Sequence, residues 1–166
     1  ATDIREIASV IGGSEKSRHG IVLAKSTLAK QYGIVTGEPL FQARRKCPGL
    51  VVVPPNYQLY VRKSDQLIRM LHEYTPLIQQ YSIDEAWMDM TGIQEAQTDP
   101  VGFATGLKDR IHRELGFTVN IGISVNHLLA KMGSELQKPD RVHTLFPEEI
   151  PQKMWPLSVD ELFFVG

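Results

Sequence analysis

Residues 81–89 read YSIDEAWMD, two strand-like runs joined by a pair of acids. The runs at residues 77–83 and 86–90 predict two strands, and Asp84-Glu85 predicts a two-residue hairpin turn between them. Such turns favour Asn-Gly or Asp-Gly, because both central positions usually need a positive φ. The acidic pair is therefore a poor turn former, and a locally unfavourable choice of this kind indicates a function.

Two adjacent carboxylates at the end of two strands suit a hard divalent cation such as Mg²⁺, which prefers oxygen ligands. The alternative is an acidic turn that simply faces solvent. A Mg²⁺ site for phosphoryl transfer usually needs another carboxylate from a neighbouring strand, and cations for the phosphates. Asp89 lies five residues beyond Asp84, about 16 Å along an extended strand, so it is predicted to be structural. The chain therefore predicts an incomplete metal site.

The elements around this stretch follow the order helix, strand, strand, helix, strand. Residues 57–74 have the apolar spacing of an amphipathic helix, and Pro76 ends it. Asp99 followed by Pro100 predicts the start of a second helix. Residues 117–123 alternate between apolar and polar, as a strand does. A split βαβ fold has this order with one more strand in front, so only its first strand is missing.

Residues 1–56 predict smaller elements. Strands are expected at residues 7–11, 21–23 and 50–53, and helices at residues 26–32 and 37–47. After the main helices, Asn126 predicts the N-cap of a helix to Leu136, residues 142–146 predict a strand, and Ser158 begins a capping-box pattern.

The composition is that of an ordinary globular protein. The chain has 166 residues, of which 42% are hydrophobic and 22% charged, so one domain or a domain with a subdomain is expected. The apolar runs are too short to cross a bilayer, and no signal peptide is visible. Cys47 is the single cysteine, which excludes an internal disulfide and favours a reducing, cytoplasmic compartment. The chain starts at Ala1 rather than Met, and a fragment of a longer protein is expected.

The net charge of −1 is unevenly distributed along the chain. Residues 1–50 carry a net charge of +4 and residues 139–166 carry −3. A basic first third is compatible with phosphate handling. Lys25, Lys30 and Lys138 are candidate phosphate-binding cations, although a solvated surface charge is the commoner role of any one lysine.

Segments along nearly the whole chain resemble the Y-family translesion DNA polymerases, the UmuC/DinB or ImpB/MucB/SamB type. The SIDEA sequence within residues 81–89 is the most specific of them. The other matching segments are GIVLA at 20–24, AKQYGI at 29–34, GEPL at 37–40, ARRKCP at 43–48, VVPPNY at 52–57, GISVN at 122–126, LAKM at 129–132 and KPD at 138–140.

This resemblance implies an α+β fold, a ferredoxin-like polymerase palm with small fingers inserted after its first strand. The implied domains are a partial palm entry at 1–10, fingers at 11–55, palm at 56–155 and the start of a thumb at 156–166. The family's first strand carries a metal-binding aspartate and an aromatic residue that excludes ribonucleotides. Both would lie before Ala1, so residues 1–166 alone are predicted to be inactive.

The resemblance also implies a function in DNA repair: lesion bypass by nucleotidyl transfer from a dNTP to a primer 3′-hydroxyl, with two Mg²⁺ ions. Asp84 and Glu85 match the second and third metal-binding, catalytic carboxylates, and Ser82 would lie near the primer end. Lys138 matches a lysine that contacts the triphosphate. The implied partners are primer-template DNA, dNTP and a sliding clamp, and no membrane.

One departure from the family concerns the helix at residues 26–32. Many members place a tyrosine and an arginine on the triphosphate there, and the matching residues in this chain are Thr27 and Lys30. A lysine still neutralises phosphate but lacks the bidentate fork of arginine.

Three alternative functions are compatible with the sequence. A nucleotide cyclase has a palm-like fold and carboxylate-bound metals, but the long segment before residue 57 favours the polymerase. A nucleic-acid-binding module on the same sheet would need exposed aromatic residues, and residues 117–123 offer only Phe117. The third alternative is a naturally truncated, non-catalytic relative.

Overall fold

The computed structural model describes residues 3–13 and 20–163, which form two compact units. The first unit ends at Gln58 and the second begins at Leu59. Within the described residues, no helix is both long and apolar enough to span a membrane. The elements are β1 Ser9–Gly12, β2 Val22–Lys25, α1 Thr27–Gln31, α2 Leu40–Lys46, β3 Val51–Val53, α3 Tyr57–His72, β4 Ile78–Gln80, β5 Ala86–Met88, α4 Gln94–Thr98, α5 Pro100–Leu115, β6 Ile121–Ile123, α6 His127–Glu135, β7 Val142–Thr144 and α7 Ile150–Lys153, with short 3₁₀ turns at Pro147–Glu149 and Val159–Glu161.

The first unit is built on a three-stranded sheet in the order β2-β1-β3. β1 pairs antiparallel with β2, with Val10 opposite Lys25, and parallel with β3, with Val10 opposite Val52. The helices α1 and α2 complete its core. The buried apolar residues of this core are Val10, Val22, Ala29, Ile34, Leu40, Ala43, Cys47 and Leu50.

The domain boundaries inferred from the resemblance stay a prediction. β1 runs across the boundary expected between residues 10 and 11, and the division between the units falls three residues after the expected end of the fingers at 55. Parts of the predicted palm entry, of the predicted fingers and of the predicted thumb start lie outside the described residues.

Helix ends in the first unit follow local chemistry. Ser26 is the N-cap of α1, and its hydroxyl accepts a hydrogen bond from the Ala29 amide at 3.1 Å. Gly33 follows this helix with a φ of +72°, as a glycine at this position should. α2 begins at Leu40, later than predicted, because Gly37 has a φ of +88° and a right-handed helix cannot contain that conformation.

The second unit is mixed α+β, with two separate two-stranded ladders. β4 pairs antiparallel with β5, and β6 pairs parallel with β7 across α6. The predicted helix-strand-strand-helix-strand order from residue 57 is present, with the short α4 added. One core cluster is centred on Met70, Leu71, Leu107 and Ile111, and another on Leu129, Met132 and Leu145.

The predicted two-residue turn at Asp84-Glu85 is wrong. Gln80 pairs with Ala86, so residues 81–85 connect the two strands. The amides of Tyr81 and Ser82 both donate to the Glu85 carbonyl, at 2.9 and 3.2 Å. A longer loop removes the need for positive φ at two acidic residues, which is why this sequence can turn here.

The helices that follow the hairpin begin where the sequence predicts. Asp99 caps α5 through a 2.9 Å hydrogen bond from the Gly102 amide, and Asn126 caps α6 in the same way through the Leu129 amide. The strand predicted at 117–123 is shorter, because only Ile121–Ile123 pairs with β7. Beyond Ser158 the described chain forms a single 3₁₀ turn.

Candidate active site

The acidic loop holds its first carboxylate by a local hydrogen bond. The Ser82 hydroxyl donates to Asp84 Oδ1 at 2.7 Å, and the Asp84 amide lies 3.4 Å from the same hydroxyl oxygen. The Asp84 side chain is otherwise exposed to solvent. Ser82 therefore orients one carboxylate oxygen of Asp84 and leaves its remaining lone pairs free for a ligand.

The second carboxylate belongs to a chain of four alternating charges. Lys131 on α6 contacts Glu85 Oε1 and also lies 2.8 Å from Glu135 Oε1. The other oxygen of Glu135 lies 2.6 Å from the ammonium of Lys138. The acid predicted to bind metal and the lysine predicted to bind triphosphate are thus linked through Lys131 and Glu135.

Lys131 and Glu135, the two inner members of this charge series, shift each other's pKa. Burial by itself would lower the pKa of Lys131, but hydrogen bonds to Glu135 and Glu85 outweigh it and raise that pKa above its ordinary value. Burial would raise the pKa of Glu135, and hydrogen bonds from Lys131 and Lys138 lower it instead. Lys131 and Glu135 are therefore both charged at neutral pH.

The loop that carries Lys138 is held by a second lysine. Lys108 on α5 lies 2.9 Å from Asp140 and 2.8 Å from Asp109, and only 12% of its side chain is exposed. Hydrogen bonds to Asp109 and Asp140 raise the pKa of Lys108. This ion pair ties the segment after α6 to α5 and limits where Lys138 can reach.

Aromatic side chains pack around the base of the acidic loop. Trp87 stacks on the His127 ring with a centroid distance of 4.8 Å, and its indole NH donates to the His127 carbonyl at 3.2 Å. Tyr81 contacts both Trp87 and Phe163, with ring centroids 5.1 and 6.2 Å apart. These contacts fix the hairpin against the start of α6, which carries Lys131.

The donors of this loop fit Mg²⁺ in kind but not in number. Asp84 and Glu85 offer the carboxylate oxygens that hard cations prefer. Among the described residues, however, no three acidic, histidine or cysteine side chains are grouped to hold a metal ion. Asp89, predicted to be structural, accepts two hydrogen bonds from Thr91, at 2.9 and 2.6 Å.

The remaining predicted site residues lie in the first unit. Thr27 is the first residue of α1, Lys30 is one turn further along, and both are exposed. Lys25, a further candidate, donates to the Thr36 hydroxyl at 3.2 Å. The roles predicted for Thr27 and Lys30 stay predictions.

Sequence reasoning missed Lys131 and Glu135. Their spacing offered a signal, because residues four apart on a helix are neighbours, and Glu135 and Lys138 are three apart. The contact between Lys131 and Glu85 offered none, since 46 residues separate them and only the packing of α6 beside the hairpin brings them together.

Comparison with known proteins decides the family. The sequence profile described as the impB/mucB/samB family matches residues 2–135. The chain belongs to this family. It is 58% identical over 164 residues to a DNA polymerase IV of Clostridium acetobutylicum, and 45% identical over 158 residues to a DNA polymerase IV of Moorella thermoacetica. These matches cover 99% and 95% of the chain but only 41% and 40% of those relatives.

Solved structures agree with this membership of the family. The crystal structure of DinB from Sulfolobus solfataricus matches with a TM-score of 0.87 and 26% identity, over 98% of this chain and 48% of that one. An insertion ternary complex of Dbh DNA polymerase, 24% identical, has the same fold with a TM-score of 0.86, over 98% of this chain and 48% of that one. The chain therefore has the fold of the Y-family polymerases over somewhat less than half of their length.

Proposed function

We propose that the protein containing this chain is a template-directed DNA polymerase of the translesion class, which transfers a nucleotide from a dNTP to a primer 3′-hydroxyl. The observation that carries this proposal is the acidic hairpin loop, in which Ser82 orients Asp84 and Glu85 joins the charge chain ending at Lys138. The relatives that share this sequence are named DNA polymerase IV.

Asp84 and Glu85 would hold Mg²⁺, with at least one more ligand from outside the described residues. Of the two Mg²⁺ ions expected, one would lower the pKa of the primer 3′-hydroxyl and the other would stabilise the leaving pyrophosphate. The Ser82 hydroxyl already orients one oxygen of Asp84 through a 2.7 Å hydrogen bond. The site therefore needs little reorganisation of Asp84 when the ion binds.

A cation of the charge series Glu85–Lys131–Glu135–Lys138 would bind the triphosphate. Lys138 has three donor hydrogens, so it can keep its bond to Glu135 and still donate to a phosphate oxygen. The resemblance to the family extends this proposed role to Thr27 and Lys30. The primer-template DNA and the dNTP are the proposed substrates, and we expect a sliding clamp as partner and the cytoplasm as location.

Primer extension by the complete protein tests this proposal. Asp84→Asn and Glu85→Gln each preserve shape but remove a ligand charge, so extension should slow by about 1,000-fold or more. The matched control is Glu114→Gln, which removes an exposed i,i+4 partner of Arg110 on α5 and should leave the rate unchanged.

Two results would contradict the proposal. One is robust extension by the Asp84→Asn protein, and the other is a wild-type protein that binds primer-template DNA but adds no nucleotide. The second result would favour the non-catalytic relative.

A further inference from the structure

The Lys131 ammonium lies between two carboxylates, one in the acidic loop and one on α6. Glu85 lies at the end of the acidic loop, while Glu135 lies one turn further along α6. Only 14% of the Lys131 side chain is exposed, and its ammonium also lies 5.6 Å from the centroid of the Phe163 ring. The ammonium is therefore confined to a place where it reaches both acids.

A confined ammonium cannot be left without a partner at low cost, because its desolvation must be compensated by charge and hydrogen bonds. Lys131 has two acidic partners and can lose one of them while remaining paired. Glu135 is the partner that stays, since it belongs to the same helix and the i,i+4 spacing keeps the two side chains adjacent.

A divalent cation on Glu85 would compete directly with Lys131. The ammonium contacts Glu85 Oε1, so metal and lysine would place positive charges on the same carboxylate. At such short range the repulsion between them is substantial even with effective screening. One of them must withdraw from that oxygen.

We propose that Lys131 is a positioning residue that neutralises Glu85 before metal binds, and then releases Glu85 while it stays paired with Glu135. Glu135 is accordingly the acceptor that makes this release inexpensive, while its second oxygen keeps Lys138 in place. This inference rests on the proposed function, because it takes Glu85 as a metal ligand.

The inference predicts that replacing Lys131 and replacing Glu135 change the affinity for metal in opposite directions. Lys131→Met keeps the apolar stem but removes the competitor, so metal binding should tighten. Glu135→Gln removes the negative charge that accepts the released ammonium, so Lys131 stays on Glu85 and metal binding should weaken. A merely structural role would impair the site in both variants.

A titration of the complete protein with Mn²⁺, monitored by electron paramagnetic resonance in the absence of DNA and nucleotide, measures the metal affinity directly. Only the binding component that Glu85→Gln removes is counted. We expect the Kd of that component to fall about tenfold in Lys131→Met and to rise about threefold or more in Glu135→Gln. The Mg²⁺ concentration for half-maximal primer extension should move in the same two directions.

Glu114→Gln is the matched control, because Glu114 is 41% exposed against 39% for Glu135 and also forms an i,i+4 pair. Its Kd should equal that of the wild type. Should Lys131→Met fail to fold, Lys131→Gln replaces it with the same expectation, since it also removes the charge.

Two outcomes separate this inference from the proposed function. Binding that depends on Glu85 but is unchanged or weaker in both Lys131 variants overturns the inference and leaves the polymerase proposal standing. If Glu85→Gln removes no Mn²⁺ at all, the metal role of Glu85 is wrong, and the inference is refuted with it.

Discussion

Gly122 shows how one residue can set the distance between a strand and a helix. It lies in the middle of β6, opposite His143 of β7. A Cβ built at this position would lie 1.8 Å from the Ala130 carbonyl oxygen and 2.5 Å from the Ser134 amide nitrogen. Both are backbone atoms of α6, so they cannot rotate away, and only glycine allows α6 to lie this close to β6.

Gly122→Ala should therefore destabilise the second unit by at least about 2 kcal/mol, since an overpacked contact with backbone forces the helix to move. Thermal unfolding of the purified protein measures the effect. Because α6 carries Lys131 and Glu135, the variant should also weaken metal binding.

Gly106→Ala is the control with the same chemical change. Gly106 lies in the interior of α5, and nothing lies within 4 Å of a Cβ placed there. Alanine should stabilise this helix by about 0.5–1 kcal/mol, because glycine has more backbone entropy to lose. Destabilisation by both variants would refute the close-packing argument for Gly122.

At the scale of elements, α5 depends on the residue that starts it. Asp99 accepts the Gly102 amide at 2.9 Å, and Pro100 occupies the first turn, where its missing NH costs nothing. At the other end, the Lys63 ammonium donates to the Leu115 carbonyl at 2.8 Å. A cation there interacts favourably with the helix dipole, so both ends of α5 are satisfied by side chains.

Asp99→Ala should cost about 1 kcal/mol of stability, the usual value for a lost N-cap. Chemical denaturation of the variant beside wild type tests this. Asp109→Asn, on the same helix but away from its ends, removes a carboxylate that is 60% exposed and leaves Lys108 paired with Asp140, so it should change stability by less than about 0.5 kcal/mol. Equal losses in the two variants would argue against capping as the cause.

The hairpin illustrates where element prediction succeeds and where it does not. Short strand-like runs on either side of Asp84-Glu85 predicted β4 and β5. The number of loop residues did not follow from the same pattern, since the backbone bonds from Tyr81 and Ser82 to Glu85 set it. The short helix α4 was missed because its residues QEAQT carry no apolar repeat.

At the scale of the whole molecule, acid should destabilise the protein. The pKa of Glu38 lies below its ordinary value of 4.5 because the Lys46 ammonium hydrogen-bonds to it, and only 6% of its side chain is exposed. A carboxyl with a lowered folded-state pKa binds fewer protons than it does in the unfolded chain. Its stabilising contribution is present above pH 4.5 and is lost as the pH falls through the folded-state pKa.

Glu38→Gln tests that contribution. The variant should melt at a lower temperature than wild type at pH 7, and the difference should shrink as the pH is lowered from 5 to 3. Thermal unfolding across that range is the measurement. A difference that stays constant with pH would show that Glu38 acts through packing rather than charge.

The local sequence was sufficient to predict most of the helices and strands and to single out the two acids of the candidate site. Caps such as Ser26, Asp99 and Asn126 act within three residues, and Asp84 and Glu85 are adjacent in the chain, so a reading of neighbours finds them. The resemblance to Y-family polymerases came from short segments in a fixed order, and it was confirmed by the family match.

Contacts between distant segments depended on three-dimensional packing. Lys131 meets Glu85 across 46 residues, and Lys108 meets Asp140 across 32. No periodicity connects such positions, because their distance is set by how closely α6 can approach β6 and by the aromatic packing of Trp87 on His127. The tertiary fold determines which ionic partners meet when they are far apart in the chain, whereas adjacent residues determine caps and turns.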